Sequence, residues 1–314
     1  MVTEIKDKNA RKGDGDRAEL AFEMRNVTFA YSGASEPVLK NASLSVKQGE
    51  FVGIIGPTGC GKSTLLYLLT GVIPHYYEGQ MSGEVLCFGR PTKSQKMGEL
   101  TAKVGFVMQD PEAQLFNLFV EDELVWGLEC RGYERKEMDA RITESLSRFN
   151  ISQLRKRVTY DLSGGEKQKT TIAAIDAIRS EAIVFDKPTS EVDPLGANMI
   201  FEVVRKLAEE RHTIVMVEDK VDQMVMYADR IVVVHGGEIR MDASVEEFCK
   251  RPDEVHQYGL RLPQVAELAH YVKKRGIALP RIPLTIEDAI KVFKEAMAGR
   301  GSAPRGLVGG LARG

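Results

Sequence analysis

The most informative segment of this chain is Gly56-Pro57-Thr58-Gly59-Cys60-Gly61-Lys62-Ser63-Thr64. Its pattern, G-x-x-x-x-G-K-[ST], is typical of a loop that wraps the phosphates of a nucleotide. An apolar run at residues 51–55 precedes the loop and suits a buried parallel strand. Leucines at helical spacing follow it in residues 63–69. The sequence therefore predicts a strand, a phosphate-binding loop and a helix in succession; taken alone, the loop could also be an ordinary Gly-rich turn.

The residue types of this loop fit phosphate chemistry. Its glycines let the backbone curl so that several N–H groups point at phosphate oxygens. The N-terminus of the following helix adds partial positive charge there. We expect Lys62 to reach the β- and γ-phosphates and the Ser63 hydroxyl to hold Mg²⁺. Cys60 is interpreted as a small filler side chain in the loop and not as a nucleophile.

Composition limits the classes of protein to consider. The 314 residues suffice for one large domain with an appendage or for two modest domains. The net charge of −2 provides no basic surplus, which argues against nucleic acid as the main partner. No run of 18 apolar residues is found, so any membrane association is expected to need a partner. The widely spaced cysteines Cys60, Cys87, Cys130 and Cys249 favour reduced thiols over a disulfide framework or a zinc site.

The first third of the chain predicts a polar tail and then β-structure. Residues 1–18 are polar and charged, so we expect a disordered tail. Residues 20–31 and 42–46 alternate between apolar and polar side chains, which indicates antiparallel strands with one buried face. Tyr31 ends the first of these strands. Its ring could stack on a nucleotide base or simply pack on the sheet.

The middle of the chain predicts two more strands and then a helical segment. The strands are expected at residues 83–88 and 104–108. Residues from about 111 to 160 are richer in helix formers and charge, which predicts a mostly helical insertion. Ser163 and Glu166 then have the spacing of a capping box, so a helix should begin here. Gly164 and Gly165 leave its first N–H groups uncovered, which predicts either an anion site or a plain N-cap.

The last third predicts an alternation of strands and helices and then a change of character. Residues 182–186 form an apolar strand that ends in Asp186, which could orient Mg²⁺ or could simply form a turn. A helix is expected from Asp193-Pro194 to about residue 211, a strand at 213–217, and a hairpin around the turn at 235–237. From about residue 244 to 297 short amphipathic stretches predict a helical extension, and residues 298–314 predict a disordered tail.

Together these motifs resemble an ABC-type ATP-binding subunit over roughly residues 20–242. The ordered set that carries the resemblance is Tyr31, the phosphate loop, Gln109, Leu162, Ser163, Gly164, Gly165, Glu166, Asp186 and Asp193. A finer resemblance points to the ATPase subunits of energy-coupling-factor importers, which include the cobalt and nickel type. It is carried by the IPH sequence at 73–75, QDPEAQLF at 109–116, LPQVAEL at 262–268 and LP at 279–280.

The resemblance implies a fold and an organisation. The fold is an α/β P-loop NTPase of the ABC type, in which a mixed sheet core carries an antiparallel β subdomain and a helical subdomain. This domain is expected to span residues 19–243, with the helical subdomain at about 111–170. A small C-terminal helical extension would occupy residues 244–297.

The resemblance also implies a mechanical role at the cytoplasmic face of the cell membrane. Two such subunits pair head to tail, so that ATP lies between one phosphate loop and the other chain's segment at 162–166. Closure on ATP moves helices of an integral membrane coupling subunit, which residues 109–116 would face, while a separate membrane subunit selects a vitamin or metal ion. Tyr31 would stack on adenine, Gln109 would contact Mg²⁺ and the attacking water, and Asp193 would lie at the dimer contact.

Two positions depart from the family pattern. Lys187 stands where the family has a Glu that polarises water, and Asp219 stands where it has a His that contacts the γ-phosphate; Glu218 is the only other candidate for that second position. An ammonium has no lone pair to accept a proton, and loss of a positioned base costs about 10²–10⁴ in rate. Asp219 alone would repel the γ-phosphate. We therefore expect Lys187 and Asp219 to pair with each other, since the Glu and His that they replace lie close together in the family.

This chain's own site is accordingly expected to bind ATP and Mg²⁺ but to hydrolyse ATP poorly. Its intact segment at 162–166 could complete the site of a competent, non-identical partner in a heterodimer. Inactivating substitutions introduced into the chain, or a slowly cycling homodimer, are alternative explanations of the two departures. Other functional classes remain open: a regulatory or scaffold module that binds ATP without turnover, or a soluble ABC-type factor in DNA repair or translation. The last would usually need a coiled-coil insertion or a second ATPase domain.

Overall fold

The computed structural model describes residues 19–298, so the tails predicted at 1–18 and from residue 299 onward lie outside the described residues. Ala298, which was predicted to begin the second tail, is instead the last residue of the final helix, as its high helix propensity allows. The described strands are β1 (Leu20–Tyr31), β2 (Leu39–Lys47), β3 (Phe51–Ile55), β4 (Gly79–Cys87), β5 (Arg90–Pro91), β6 (Val104–Val107), β7 (Ala182–Asp186), β8 (Thr213–Val217), β9 (Arg230–His235) and β10 (Glu238–Ser244).

The helices lie between and after these strands. They are α1 (Lys62–Thr70), α2 (Val72–His75), α3 (Met97–Lys103), α4 (Val120–Glu129), α5 (Arg135–Arg148), α6 (Gly164–Ile178), α7 (Pro194–Glu209), α8 (Val221–Tyr227), α9 (Val245–Cys249), α10 (Pro252–Gln257), α11 (Gln264–Lys274) and α12 (Ile286–Ala298). Most of the predicted elements are therefore present, with ends that differ by a few residues.

The central sheet has six strands in the order β10-β9-β3-β8-β7-β6. Neighbours from β9 to β6 are parallel, and β10 is antiparallel to β9. Every residue of β3, β7 and β8 is buried, as expected for parallel strands covered on both faces. Because parallel strands end at the same edge, the segments that follow β3, β7 and β8 come together there, where α/β sheets commonly bind ligands.

A second, antiparallel sheet has the order β2-β1-β4-β5. Its apolar residues share a core with α1, whose Leu65, Leu66, Leu68 and Leu69 are fully buried. The hairpin between β9 and β10 touches this sheet at Gly237. That residue has φ +83°, and an added Cβ would lie 2.7 Å from the Val38 carbonyl oxygen, so only glycine fits the close approach.

The segment between β6 and β7 is mostly helical. α4 and α5 pack against α6 through Leu124, Leu128, Ile142, Leu146 and Ile172, all of which are buried. The Ser145 hydroxyl also donates to the Ala173 carbonyl at 2.8 Å. The predicted helical character of residues 111–170 is thus present as α4, α5, two short 3₁₀ turns and the start of α6.

The chain after β10 is helical in two parts. Val255, Leu262 and Ala266 are buried in the main core, so the first part is continuous with the body of the protein. Ala269, Leu279 and Val292 form a separate small cluster between α11 and α12. The LPQVAEL segment that begins at residue 262 therefore joins the body to this outer cluster.

All four cysteines are free thiols. Burial raises the pKa of Cys87 and of Cys249 to about 12, so both remain protonated at neutral pH. Burial also raises the pKa of Cys60, despite the opposing field of Lys62. A protonated Cys60 thiol is a poor nucleophile, which supports its interpretation as a filler of the loop.

Candidate nucleotide-binding site

The phosphate loop connects β3 to α1 as predicted. Gly61 adopts φ +105°, which only glycine tolerates readily, and an added Cβ at Gly56 would lie 2.1 Å from the Val234 carbonyl oxygen. The Lys62 side chain is buried, and its ammonium donates to the carbonyls of Gly56 at 2.6 Å and Pro57 at 2.8 Å. The loop thus curves around the lysine that is expected to bind phosphate.

Asp186 ends β7 close to this loop. Its side chain is buried, and its Oδ1 atom has no hydrogen-bond partner. Burial raises the pKa of Asp186, while Ser63, Lys187 and Lys62 act in the opposite direction. A buried oxygen without a donor is costly, so a cation ligand would satisfy it. The residues therefore fit Mg²⁺, which Ser63 and Asp186 would hold and Gln109 would approach; the ion would neutralise phosphate charge.

We expect Asp186→Asn to remove most of the Mg²⁺ dependence of ATP binding. An amide carries no charge, and one contact to a charged group contributes ~1.5–3 kcal/mol. The factor by which Mg²⁺ strengthens ATP binding should therefore be at least about tenfold smaller than in the unchanged protein. The raised pKa of Asp186 means that its carboxylate form disfavours the fold above that pKa, so the amide should maintain or raise the melting temperature at neutral pH. Titrations with ATP in Mg²⁺ and in EDTA measure the first effect, and thermal unfolding measures the second.

Asp176→Asn provides the matched control for this experiment. Asp176 is also buried, and burial also raises its pKa, but it lies in α6 beside Arg148. Its substitution should affect stability and leave the Mg²⁺ dependence unchanged. An unaltered Mg²⁺ dependence in Asp186→Asn would contradict the assignment of that carboxylate.

Tyr31 lies beside the phosphate loop, where its hydroxyl shares a 3.1 Å hydrogen bond with the Thr64 hydroxyl. Its ring meets those of Phe29 and Tyr77 edge to face, with centroids 4.9 and 6.1 Å apart. Tyr77 in turn stacks on Tyr67. The ring therefore packs on the sheet and borders the loop at once. The role of Tyr31 with adenine stays a prediction. Its contact with Tyr77 could not be foreseen because the two tyrosines are 46 positions apart.

Gln109, Lys187 and Asp219 line one open cleft at the carboxyl edge of the central sheet. The Lys187 ammonium lies 2.5 Å from Asp219 Oδ2, so the predicted pairing of these two departures is confirmed. The Lys187 side chain is 18% exposed and that of Asp219 is 57% exposed. The pair thus lies at the mouth of the cleft, with the cation on the inner side.

Glu218 has a structural role at this site, whereas the sequence suggested it only as an alternative to Asp219. It is buried, its Oε2 accepts from the Thr189 hydroxyl at 2.6 Å, and its Oε1 accepts from the Asp219 N–H at 2.8 Å. It therefore ties the segment after β7 to the segment after β8. The sequence signal that could have indicated this role is the position of the Glu218 carboxylate directly after the buried strand β8.

The turn at 162–166 has the predicted capping box. Glu166 Oε2 accepts from the Ser163 N–H and hydroxyl, both at 2.9 Å, and the Ser163 oxygen accepts from the Glu166 N–H. The Ser163 backbone bond, followed by that from its hydroxyl, lowers the pKa of Glu166. Leu162 is buried and Ser163 is exposed. Within residues 19–298, no hydrogen bond or ion pair links this turn to the phosphate loop of the same chain.

The segment at 109–116 is anchored by Gln114, which sequence reasoning did not single out. Its side chain accepts from the Met108 N–H at 2.9 Å and donates to the Phe106 carbonyl at 2.8 Å. Glu112 forms an ion pair with Lys167 of α6. The segment is therefore held between β6 and the helix that begins at the capping box.

Asp193 is the N-cap of α7. Its Oδ1 accepts from the Gly196 N–H at 2.7 Å, and Pro194 occupies the first turn. This observed role is structural, and a contact across a dimer stays a prediction. Leu195 and Met199 expose apolar side chains nearby on the same helix.

The fold and this site define a nucleotide-binding domain of the P-loop class. A family model described as ABC transporter matches residues 39–190. A putative ABC transporter ATP-binding protein of Pyrococcus abyssi is 40% identical over 270 residues, which cover 86% of this chain and 96% of that protein. The chain therefore belongs to the family of ABC transporter ATP-binding proteins. Membership implies ATP binding, ATP hydrolysis and work with transmembrane subunits.

Other relatives differ in length. A putative ABC transporter ATP-binding protein of Methanosarcina acetivorans is 38% identical over 284 residues, which cover 90% of this chain but only 43% of that protein. The chain thus spans less than half of that relative.

Solved structures agree with the fold. CbiO1 from Clostridium perfringens, described as part of the ABC transporter complex CbiONQ, aligns with a TM-score of 0.68 and 25% identity over 80% of this chain and 99% of that chain. The dimeric ATP-binding cassette MJ0796 bound to ADP and phosphate aligns with a TM-score of 0.62 and 29% identity over 71% and 98%. Among the helices within residues 19–298, none combines the length and apolarity that a membrane crossing needs.

Proposed function

We propose that this chain is the ATP-binding subunit of an energy-coupling-factor importer. The observation that carries the proposal is the likeness to CbiO1, a component of a transporter complex, over 99% of that chain. The IPH, QDPEAQLF and LPQVAEL segments point to the same branch. The ATPase domain would comprise residues 19–243, with its helical subdomain at about 111–170, and the helical extension would comprise residues 244–297.

Two subunits would pair head to tail. The capping-box turn supports this arrangement because it has uncovered helix N–H groups but no hydrogen bond to its own phosphate loop. It could therefore serve the site of another chain. The exposed Leu195 and Met199 beside Asp193 would lie at the same contact.

The site on this chain would bind ATP and Mg²⁺ but cleave ATP slowly. The Lys187 ammonium has no lone pair with which to deprotonate water, and it forms an ion pair with Asp219 at 2.5 Å. The absence of a positioned base should cost about 10²–10⁴ in rate. Most hydrolysis in the assembly would then occur at the site of a non-identical, competent partner, which this chain's turn at 162–166 completes.

An integral membrane coupling subunit would dock beside the 109–116 segment. Phe116, Phe119, Trp126 and Tyr160 expose aromatic rings on this side, and Leu118 adds apolar surface. Such clusters of exposed aromatic side chains are typical of interaction sites. The chain would act as a peripheral protein at the cytoplasmic face of the cell membrane, and a separate membrane subunit would select the vitamin or metal ion.

Isolation of the tagged chain from solubilised membranes tests this function. We expect it to bring down a second ABC ATPase subunit and an integral membrane protein in stoichiometric amounts. ATP turnover should be low for the chain alone and high when the second ATPase is added. Recovery without any membrane protein, or robust turnover by the chain alone, would contradict the proposal.

A regulatory or scaffold module that binds ATP without turnover is the second candidate. The Lys187–Asp219 pair favours it, because Lys187 stands where the family that the chain resembles has its catalytic base, and the pair engages that lysine. Repeating the mixing experiment with this chain's turn at 162–166 altered separates the two functions. If the chain is a regulatory module, the partner's turnover should stay the same.

A further inference from the structure

We propose that Lys187 makes this site selective for ATP over ADP. When ATP binds, the Lys187 ammonium would break its ion pair with Asp219 and contact the γ-phosphate. The inference rests on the proposed function, in which the site binds ATP and hydrolyses it slowly. Lys187 would then contact the nucleotide, in addition to replacing the glutamate that serves as a base in the family.

The backbone of Lys187 is fixed, so only its side chain has to move. Lys187 adopts φ +45°, and its N–H donates to the Val217 carbonyl at 2.9 Å. Its own carbonyl accepts from the Ser190 N–H at 3.1 Å and from the Ser190 hydroxyl at 3.0 Å. The flexible four-carbon stem can therefore swing from a fixed point at the end of β7.

The unequal exposure of Lys187 and Asp219 makes it easy for Lys187 to exchange Asp219 for another anion. Asp219 is 57% exposed and can be hydrated when the lysine leaves, whereas the Lys187 side chain is only 18% exposed and needs an anion. Glu218 is held in place by other partners, because its two oxygens accept from the Thr189 hydroxyl and from the Asp219 backbone N–H. Because the Asp219 side of the pair is screened by water, its attraction to Lys187 is weakened, and a more highly charged anion can displace it.

The direction of the swing follows from the strand ends around Lys187. Lys187 directly follows Asp186, the last residue of β7, and Asp186 pairs with Val217 of β8. Strand β8 pairs in turn with β3, which leads into the phosphate loop. Lys62 belongs to the phosphate loop. A phosphate chain that begins at this loop and extends towards Asp186 therefore ends beside Lys187. ADP lacks the terminal phosphate and gains no such contact.

Binding measurements on the full chain test this assignment. Dissociation constants are measured by calorimetry in Mg²⁺ for ADP and for the β,γ-imido analogue of ATP, which is not hydrolysed. Lys187→Gln should weaken analogue binding about tenfold to a hundredfold, as expected for loss of a charge-assisted contact, and leave ADP binding within about twofold. Asp219→Asn should strengthen analogue binding about threefold to tenfold, because it frees Lys187 and removes a repulsive charge.

The control is Lys250→Gln. Lys250 is also ion-paired, to Glu247 at 2.8 Å, but lies in the helical extension, so both ligands should bind as before. An equal loss for both ligands in Lys187→Gln, or an unchanged ratio of their dissociation constants in both variants of the pair, would overturn the assignment. Failure of the unchanged chain to bind either ligand would instead refute the proposed function.

Discussion

Changing Lys187 to Glu and Asp219 to His together should raise ATP hydrolysis at this chain's own site by about 10²–10⁴-fold. The carboxylate would restore a proton acceptor at the end of β7, and the imidazole would restore a γ-phosphate contact that does not repel the nucleotide. The two changes act as a unit, because Lys187 and Asp219 neutralise each other at 2.5 Å. Lys187→Glu alone would add a second carboxylate beside Asp219 and should give a much smaller gain.

The measurement is steady-state phosphate release from the double variant mixed with a partner ATPase whose own phosphate loop has been inactivated. Only the site on this chain can then turn over. The matched controls are the two single variants under the same conditions. If the double variant bound ATP normally and still hydrolysed it no faster than the unchanged chain, the two departures would not explain a slow site.

Gly165→Asp in this chain should reduce ATP hydrolysis at the partner's site by about 10²-fold or more, an effect at least as large as the loss of one oxyanion donor. The new carboxylate would lie at the N-terminal end of α6, where the partner's γ-phosphate is expected to bind, and would repel it. The fold should tolerate the change. An added Cβ at Gly165 has its nearest neighbours at 3.9 and 4.0 Å, and an acidic residue in the first turn of a helix is favourable.

Gly98→Asp is the matched control for this effect. Gly98 is likewise the second residue of its helix, α3, and an added Cβ there meets nothing within 4 Å. Both variants should retain the melting temperature of the unchanged protein, and only Gly165→Asp should slow turnover in the mixture. Gly164 is unsuitable, because an added Cβ would lie 2.7 Å from the Glu191 carbonyl oxygen. Normal turnover with Gly165→Asp would show that the turn at 162–166 does not complete the partner's site.

Most of the fold could be predicted because its signals are local. The capping box joins residues three positions apart, and the hairpin turn at 236–237 needs only two glycines with positive φ. The apolar runs of β3, β7 and β8 indicated buried strands without knowledge of their neighbours. Element ends were less certain; β4, for example, begins at Gly79 and not at the predicted residue 83, because pairing with Tyr31 extends it.

Parts of the site could be predicted only through the family resemblance. The pairing of Lys187 with Asp219 was expected because the residues they replace are neighbours in the family, and no local pattern joins positions 32 apart. The tie between Glu218 and Thr189 was not expected at all. Both depend on the register of two parallel strands, in which Asp186 pairs with Val217.

The amino-acid sequence by itself determined where the chain curls around phosphates, where α6 begins and which strands are buried, since each of these depends on residues within a few positions of one another. The tertiary structure alone decided that Asp186 has an oxygen without a partner and that Tyr31 contacts both Thr64 and Tyr77. It also decided that Glu218 fixes the backbone beside the Lys187 pair. These features arise only when the order of the strands places distant segments at one edge of the sheet.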